Sequence, residues 1–167
     1  MIRILEYGQV LENEIFARTV PTINVESVVT EIIENVKNNG DDALKFYCEK
    51  FDGAKLESLE VSKEEFDEAV DLMDEDFLRI LKDAAENIRK FHQMQKRDGF
   101  QLEGKNGEIV GQRIIPVDKA GLYVPGGTAA YPSTVLMDSI PAKIAGVKEI
   151  VMVTPPGKNG KVAAPIL

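Results

Sequence analysis

The residues best placed to bind a ligand in this chain lie in one loop. It runs Tyr123-Val124-Pro125-Gly126-Gly127-Thr128-Ala129-Ala130-Tyr131-Pro132-Ser133, between an apolar run and a helix-forming one. Glycines directly after a buried strand let the backbone approach a ligand closely. The amides that open the following helix, with Ser133 and Thr134 there, favour an anion, and a dinucleotide pyrophosphate is one candidate. Neither the G-x-G-x-x-G fingerprint nor a P-loop occurs anywhere in the chain. Taken alone, the loop therefore does not separate a binding role for Gly126 and Gly127 from a simple reversal of the chain. Tyr123 reads equally well as a core aromatic with a satisfied hydroxyl.

Metal and nucleophile chemistry is constrained harder, by what is scarce. A closed zinc site usually takes four His, Cys or acidic ligands, mostly nitrogen and sulfur. The chain offers one histidine, His92, and one cysteine, Cys48. An autonomous zinc site of the usual kind is not expected. A Ser-His-Asp or Cys-His arrangement would have to use His92, which falls inside a long helical pattern next to Phe91 and reads as a packing or surface residue. Cys48 lies on an apolar helix face and reads as an inert core thiol.

A chain of 167 residues suffices for one domain, or one domain and the start of another. Its 28 acidic against 20 basic residues leave a net charge of -8, without a Lys/Arg block to offset it locally. That balance repels nucleic acid. The first residues reach Glu6 too soon for a signal peptide's apolar core, and no apolar run approaches the roughly 20 residues of a membrane helix. With a lone cysteine nothing points to secretion, and a cytoplasmic protein is expected.

The elements that must position the loop follow from periodicity. Asn24 reads as the cap of a helix with a stripe of Val25, Val28, Val29, Ile32, Ile33 and Val36. Asn38-Asn39-Gly40 stops it. A second helix restarts at Asp41 or Asp42, burying Leu44, Tyr47, Cys48 and Phe51, and ends at Phe51-Asp52-Gly53. Ser62 and Glu65 fit a capping box, opening a helix with Phe66, Ala69, Val70 and Met73 on one face. Asp74 caps a longer helix running to Lys96 or Arg97, with Phe77, Ile80, Leu81, Ala84, Ile88, Phe91 and Gln95 along one stripe. From Phe100 to Val117 alternation about a turn at Gly104–Gly107 predicts a hairpin with a mixed face, and Pro116 falls at its end or edge. Ala120–Val124 and Glu149–Thr154 read as buried strands around a helix from Ser133 to Ala145, which Gly146 stops. Pro132 suits that helix's first turn, and Pro141 should kink or split it. Residues 162–167 read as the first turn of a further helix. The fold class is α/β: a helical region over 1–99, an extended connection over 100–118, and over 119–167 the start of a Rossmann-like parallel βαβ domain, left incomplete.

At the glycine loop a resemblance enters. Residues 116–156, with Ala120-Gly121-Leu122-Tyr123-Val124-Pro125-Gly126-Gly127, Tyr131-Pro132-Ser133-Thr134-Val135-Leu136-Met137 and Val153-Thr154-Pro155-Pro156, closely resemble the corresponding segment of histidinol dehydrogenases. Weaker matches at Val36-Lys37, Asp41, Ala43-Leu44, Phe51-Asp52, Ile88, Phe91-His92 and Gln95 extend the likeness over nearly the whole chain. The resemblance implies a zinc-dependent, NAD-linked oxidation of L-histidinol to L-histidine through the aldehyde, in histidine biosynthesis. In such an enzyme a general base takes the alcohol proton while hydride passes to NAD and zinc holds the substrate. It implies homodimers and Rossmann-like domains with helical additions. Tyr123 matches the family's NAD-contacting tyrosine, and Pro125 is near enough in the same loop to line the cofactor. The family's metal ligands and catalytic Glu-His pair lie further along a much longer chain. This one is thus expected to be the amino-terminal part, inactive and zinc-free alone and binding NAD weakly if at all. The alternatives are a non-catalytic NAD-binding module and a self-associating assembly unit.

Overall fold

The computed structural model describes residues 4–16, 25–126 and 130–167. The Asn24 cap and Gly127 lie outside the described residues. The chain divides into two compact units, Met1–Asn39 and Gly40–Leu167.

The first unit holds helix α1 (Glu12–Phe16) and the opening of α2 (Glu26–Tyr47). The expected stop at Gly40 is a kink inside α2 (φ 54°, ψ −131°), a backbone conformation that glycine tolerates because it lacks a Cβ.

In the second unit α2 continues into a π-turn, Cys48–Asp52, which Gly53 closes in the left-handed region with φ 67°. Helix α3 (Lys63–Leu72) opens with the capping box foreseen from sequence. The Glu65 amide donates to Ser62 Oγ at 3.3 Å, and the Ser62 amide donates to Glu65 Oε2 at 2.8 Å. Helix α4 (Glu75–Gln93) is capped by Asp74 Oδ1, which accepts from the amides of Asp76 at 2.9 Å and Phe77 at 3.2 Å. It ends earlier than expected. The amides of Met94, Gln95 and Lys96 each bond three residues back, tightening the chain out of the α-helix, so Lys90 and His92 occupy the last turn instead of Lys96 and Arg97.

Strands β1 (Phe100–Glu103) and β2 (Ile109–Gln112) form the expected antiparallel hairpin, with Phe100 opposite Gln112 and Glu103 opposite Ile109. Both its faces are exposed. Strands β3 (Lys119–Tyr123) and β4 (Glu149–Val153) pair in parallel, from Lys119 opposite Glu149 to Tyr123 opposite Val153. Helix α5 (Pro132–Ala145) connects them, contacts β3 and packs on α4. It is apolar nearly all round, as suits a helix enclosed between neighbours. Pro141 sits within it without splitting it. The carbonyl that Pro141 leaves without an intrahelical donor is that of Met137, an exposed residue. Residues Ala164–Ile166 make one 3-10 turn that touches α3 and α5.

Several burial expectations are corrected. Leu44, Phe51, Phe66, Val70, Ile80 and Phe91 are exposed, Phe51 by 60%, while Ala43, Ala54 and Ala69 are buried. The strands expected to be buried on both sides are covered on one. Ala120, Leu122, Ile150 and Met152 are half-buried, whereas Tyr123, Val151 and Val153 are exposed, because α5 provides a layer for a single face.

Hydrogen bonding at its own backbone amide, and secondarily with Ser62, holds the Glu64 carboxyl below its usual value. Its contribution to stability is complete above the ordinary carboxylate range and is lost as pH falls through the lowered value. Ser62→Ala should lower the unfolding free energy by about 1 kcal/mol, read as a shifted urea midpoint with unchanged slope.

Candidate functional site

The parallel pair brings the carboxyl ends of β3 and β4 side by side, and the chain beyond each end forms a cleft. The Val124 amide donates to Val153 O at 2.9 Å, carrying the ladder one residue past β3, and Val124 is fully buried. At Gly126 the two strand ends nearly touch. A Cβ there would stand 2.9 Å from Pro155 O and 3.2 Å from Thr154 Oγ1, so only glycine fits without displacement. The glycine's role is thus close approach of backbone to backbone, as well as reversal of the chain.

The cleft holds about 250 Å³ and is lined by Gly126, Thr154, Pro155, Asn159, Lys161 and Ile166, among others. Its outer side is a tight turn. The Gly157 amide donates to Lys161 O at 2.8 Å, the Gly160 amide to Gly157 O at 2.8 Å, and the Lys161 amide to Asn159 Oδ1 at 3.1 Å. Lys161 Nζ donates to Glu68 Oε2 of α3 at 2.5 Å, and this bond, with the carboxylate's charge, raises the lysine's pKa. The ammonium is therefore already matched.

Among the described residues Thr154 Oγ1 is buried without a hydrogen-bond partner, an arrangement that costs free energy until a partner arrives. Sites in open α/β sheets lie outside the carboxyl ends of the strands, where this cleft sits. A hydroxyl left over at such a place is open to a hydrogen bond from a ligand. The volume falls short of the roughly 300–1,000 Å³ typical of whole small-molecule sites.

Tyr123 is 64% exposed and stands beside Val153 on the open face of the sheet. Pro125 is half-buried next to Gly126. Neither lines the cleft, although both belong to the strand end that forms it. Ser133 is exposed, and the Thr134 amide is taken by Tyr131 O at 3.0 Å. Sequence reasoning passed over Thr154, whose only signal was a polar residue directly after an apolar strand.

His92 is half-buried, with Nδ1 2.6 Å from Gln95 Oε1 and its ring edge-on to Phe91. No group of three or more His, Cys, Asp or Glu among the described residues could hold a metal ion, so these residues do not fit a zinc centre. Among the described residues no helix is long and apolar enough to cross a membrane.

A family model described as histidinol dehydrogenase matches residues 17–167. The histidinol dehydrogenase of Geobacillus kaustophilus is 52% identical over 83% of this chain and 33% of its own length. That of Clostridium acetobutylicum is 43% identical over 100% of this chain and 40% of its own. A crystal structure of histidinol dehydrogenase from Elizabethkingia anophelis superposes with a TM-score of 0.85 at 36% identity, covering 89% of this chain and 34% of that one. The chain thus spans between about a third and two-fifths of the length of these relatives.

Burial, with a smaller push from the Asp52 carboxylate, raises the Cys48 thiol above its usual value. Thiolate is then scarce at neutral pH. Iodoacetamide should label Cys48 several-fold more slowly than a free cysteine peptide at pH 7.5, the two rates converging only at higher pH.

Proposed function

The chain belongs to the histidinol dehydrogenase family, and from that premise we propose that it supplies part of the cofactor wall for an NAD-linked oxidation of L-histidinol to L-histidine. The observation that carries this reading is the match over residues 17–167, which includes the strand-loop-helix around Tyr123. Tyr123 and Pro125 are the residues assigned to contact NAD, Tyr123 through its exposed ring and Pro125 from the half-buried position next to Gly126. NAD, when bound, accepts the hydride. What these residues contribute is binding and orientation of the ring that receives it.

The same reading takes the chain as inactive alone. A single histidine and a single cysteine, in separate helical segments, offer too few nitrogen and sulfur ligands for the zinc of the family's reaction. No step is therefore assigned to a metal held by this chain. The division into a helical region over 1–99, a connection over 100–118 and a βαβ part over 119–167 belongs to this proposal, as do a cytoplasmic location and the homodimeric assembly that the family implies.

A second reading, a self-associating unit, draws support from the exposed apolar face of β3 and β4, where Tyr123, Val151 and Val153 lie together. Light scattering separates the two: a monodisperse monomer at high concentration removes the second reading, and concentration-dependent oligomers favour it.

The purified 167-residue chain, mixed with histidinol and NAD, should show no NADH absorbance above background; measurable turnover overturns the claim of inactivity. Calorimetric titration should detect weak NAD binding. Tyr123→Ala should weaken it roughly three- to tenfold, in line with an aromatic contact of about 0.5–1.5 kcal/mol.

A further inference from the structure

We propose that Thr154 is a ligand-binding residue whose hydroxyl hydrogen-bonds the ribose of a dinucleotide seated in the cleft between Gly126 and the Gly157–Lys161 turn. The proposal rests on the NAD reading above and adds to it a residue and a part of the ligand.

Three observations converge on this position. Thr154 Oγ1 is buried and finds no partner among the described residues, so the hydroxyl bears a desolvation cost that a ligand can offset. The residue lines a cleft at the carboxyl ends of a parallel pair. Gly126 leaves out the side chain that would otherwise meet this hydroxyl at 3.2 Å. A threonine hydroxyl both donates and accepts, and one staggered rotation about Cα–Cβ exchanges its place with the methyl group or the hydrogen. It can therefore turn toward an oxygen in the cleft.

The choice of ribose over pyrophosphate follows from charge. The cation lining the cleft, Lys161, is already bonded to Glu68. The rest of the lining is neutral and largely apolar, with Ala130, Val162, Ala163 and Ile166 around Thr154 and Asn159. Asn159 Oδ1 accepts from the Lys161 amide, which leaves the side-chain NH2 to donate to a ligand. A sugar ring with hydroxyls that both donate and accept suits such a lining. A doubly charged diphosphate would need unmatched donors or cations.

The test uses the whole 167-residue chain, isotopically labelled, with NAD, adenosine and inorganic pyrophosphate as separate probes. NAD and adenosine should move the amide signals of Gly126 and Thr154, and pyrophosphate should not. Thr154→Val should weaken NAD binding roughly three- to tenfold, and Thr154→Ser should stay within about twofold of the parent. In the ligand-free state Thr154→Val should melt at the same temperature or higher, because an unsatisfied hydroxyl is replaced by a methyl group of similar shape. A purely structural hydroxyl would give the opposite sign.

Unchanged NAD affinity in Thr154→Val, with the Gly126 shifts intact, overturns the assignment of Thr154 alone. So does a lowered melting temperature in that variant. Pyrophosphate reproducing the NAD shifts while adenosine does not overturns the choice of ribose. No shift anywhere in the chain at millimolar NAD overturns the NAD reading itself and this proposal with it.

Discussion

Parallel strands cannot be joined by a tight turn, so pairing β3 with β4 in parallel obliges the chain to cross from the end of one strand to the start of the other through a long connection. Helix α5 is that connection, and its apolar surface calls for cover on more than one side. It contacts β3 and packs on α4. The same constraint sets Val124-Pro125-Gly126 beside Thr154-Pro155 at the ends of the pair. The close approach at Gly126 and the cleft next to it follow from the pairing, and so does the location of any ligand there.

Coverage of this sheet is one-sided, and that shapes the surface. Fully burying a valine-sized or aromatic side chain is worth about 1.5–3 kcal/mol. Tyr123, Val151 and Val153 forgo most of that gain by standing open. Parallel sheets in folded proteins are usually covered on both faces. The curated relatives, of which the chain spans about a third to two-fifths, carry additional residues with which such a face can be covered. The open face and the cleft are different surfaces of one strand end: Tyr123 belongs to the first, and Gly126 and Thr154 to the second.

Electrostatics at the cleft are quieter than a basic residue in its lining suggests. Lys161 is held by Glu68 of α3, so the pair fastens the Gly157–Lys161 turn to that helix and leaves the cleft close to neutral. Exposed pairs of this kind contribute little stability, about 0–1 kcal/mol. Their effect here is positional.

By itself the sequence determined whatever depends on a few neighbouring residues. The Ser62–Glu65 capping box, the Asp74 cap, the glycine at Gly53 and the turn between β1 and β2 are readable because each is decided by hydrogen bonds and backbone freedom within one turn of chain. The strand-helix-strand order around Tyr123 is readable from its apolar runs and the glycines that bound them. The long match around Tyr123 is also a property of sequence, and it carried the family. Tertiary structure alone decided burial and partnership. Phe51, Phe66 and Val70 have the periodicity of core residues and stand exposed, since a stripe is buried only where another element comes to meet it. Pro141 stays inside one helix, and the carbonyl that loses its amide donor there belongs to an exposed residue, Met137. Thr154 reads as an ordinary strand-end residue until the fold brings Gly126 against it. An unpartnered hydroxyl is defined by everything around it in space, which is the information that a linear pattern of residues does not hold.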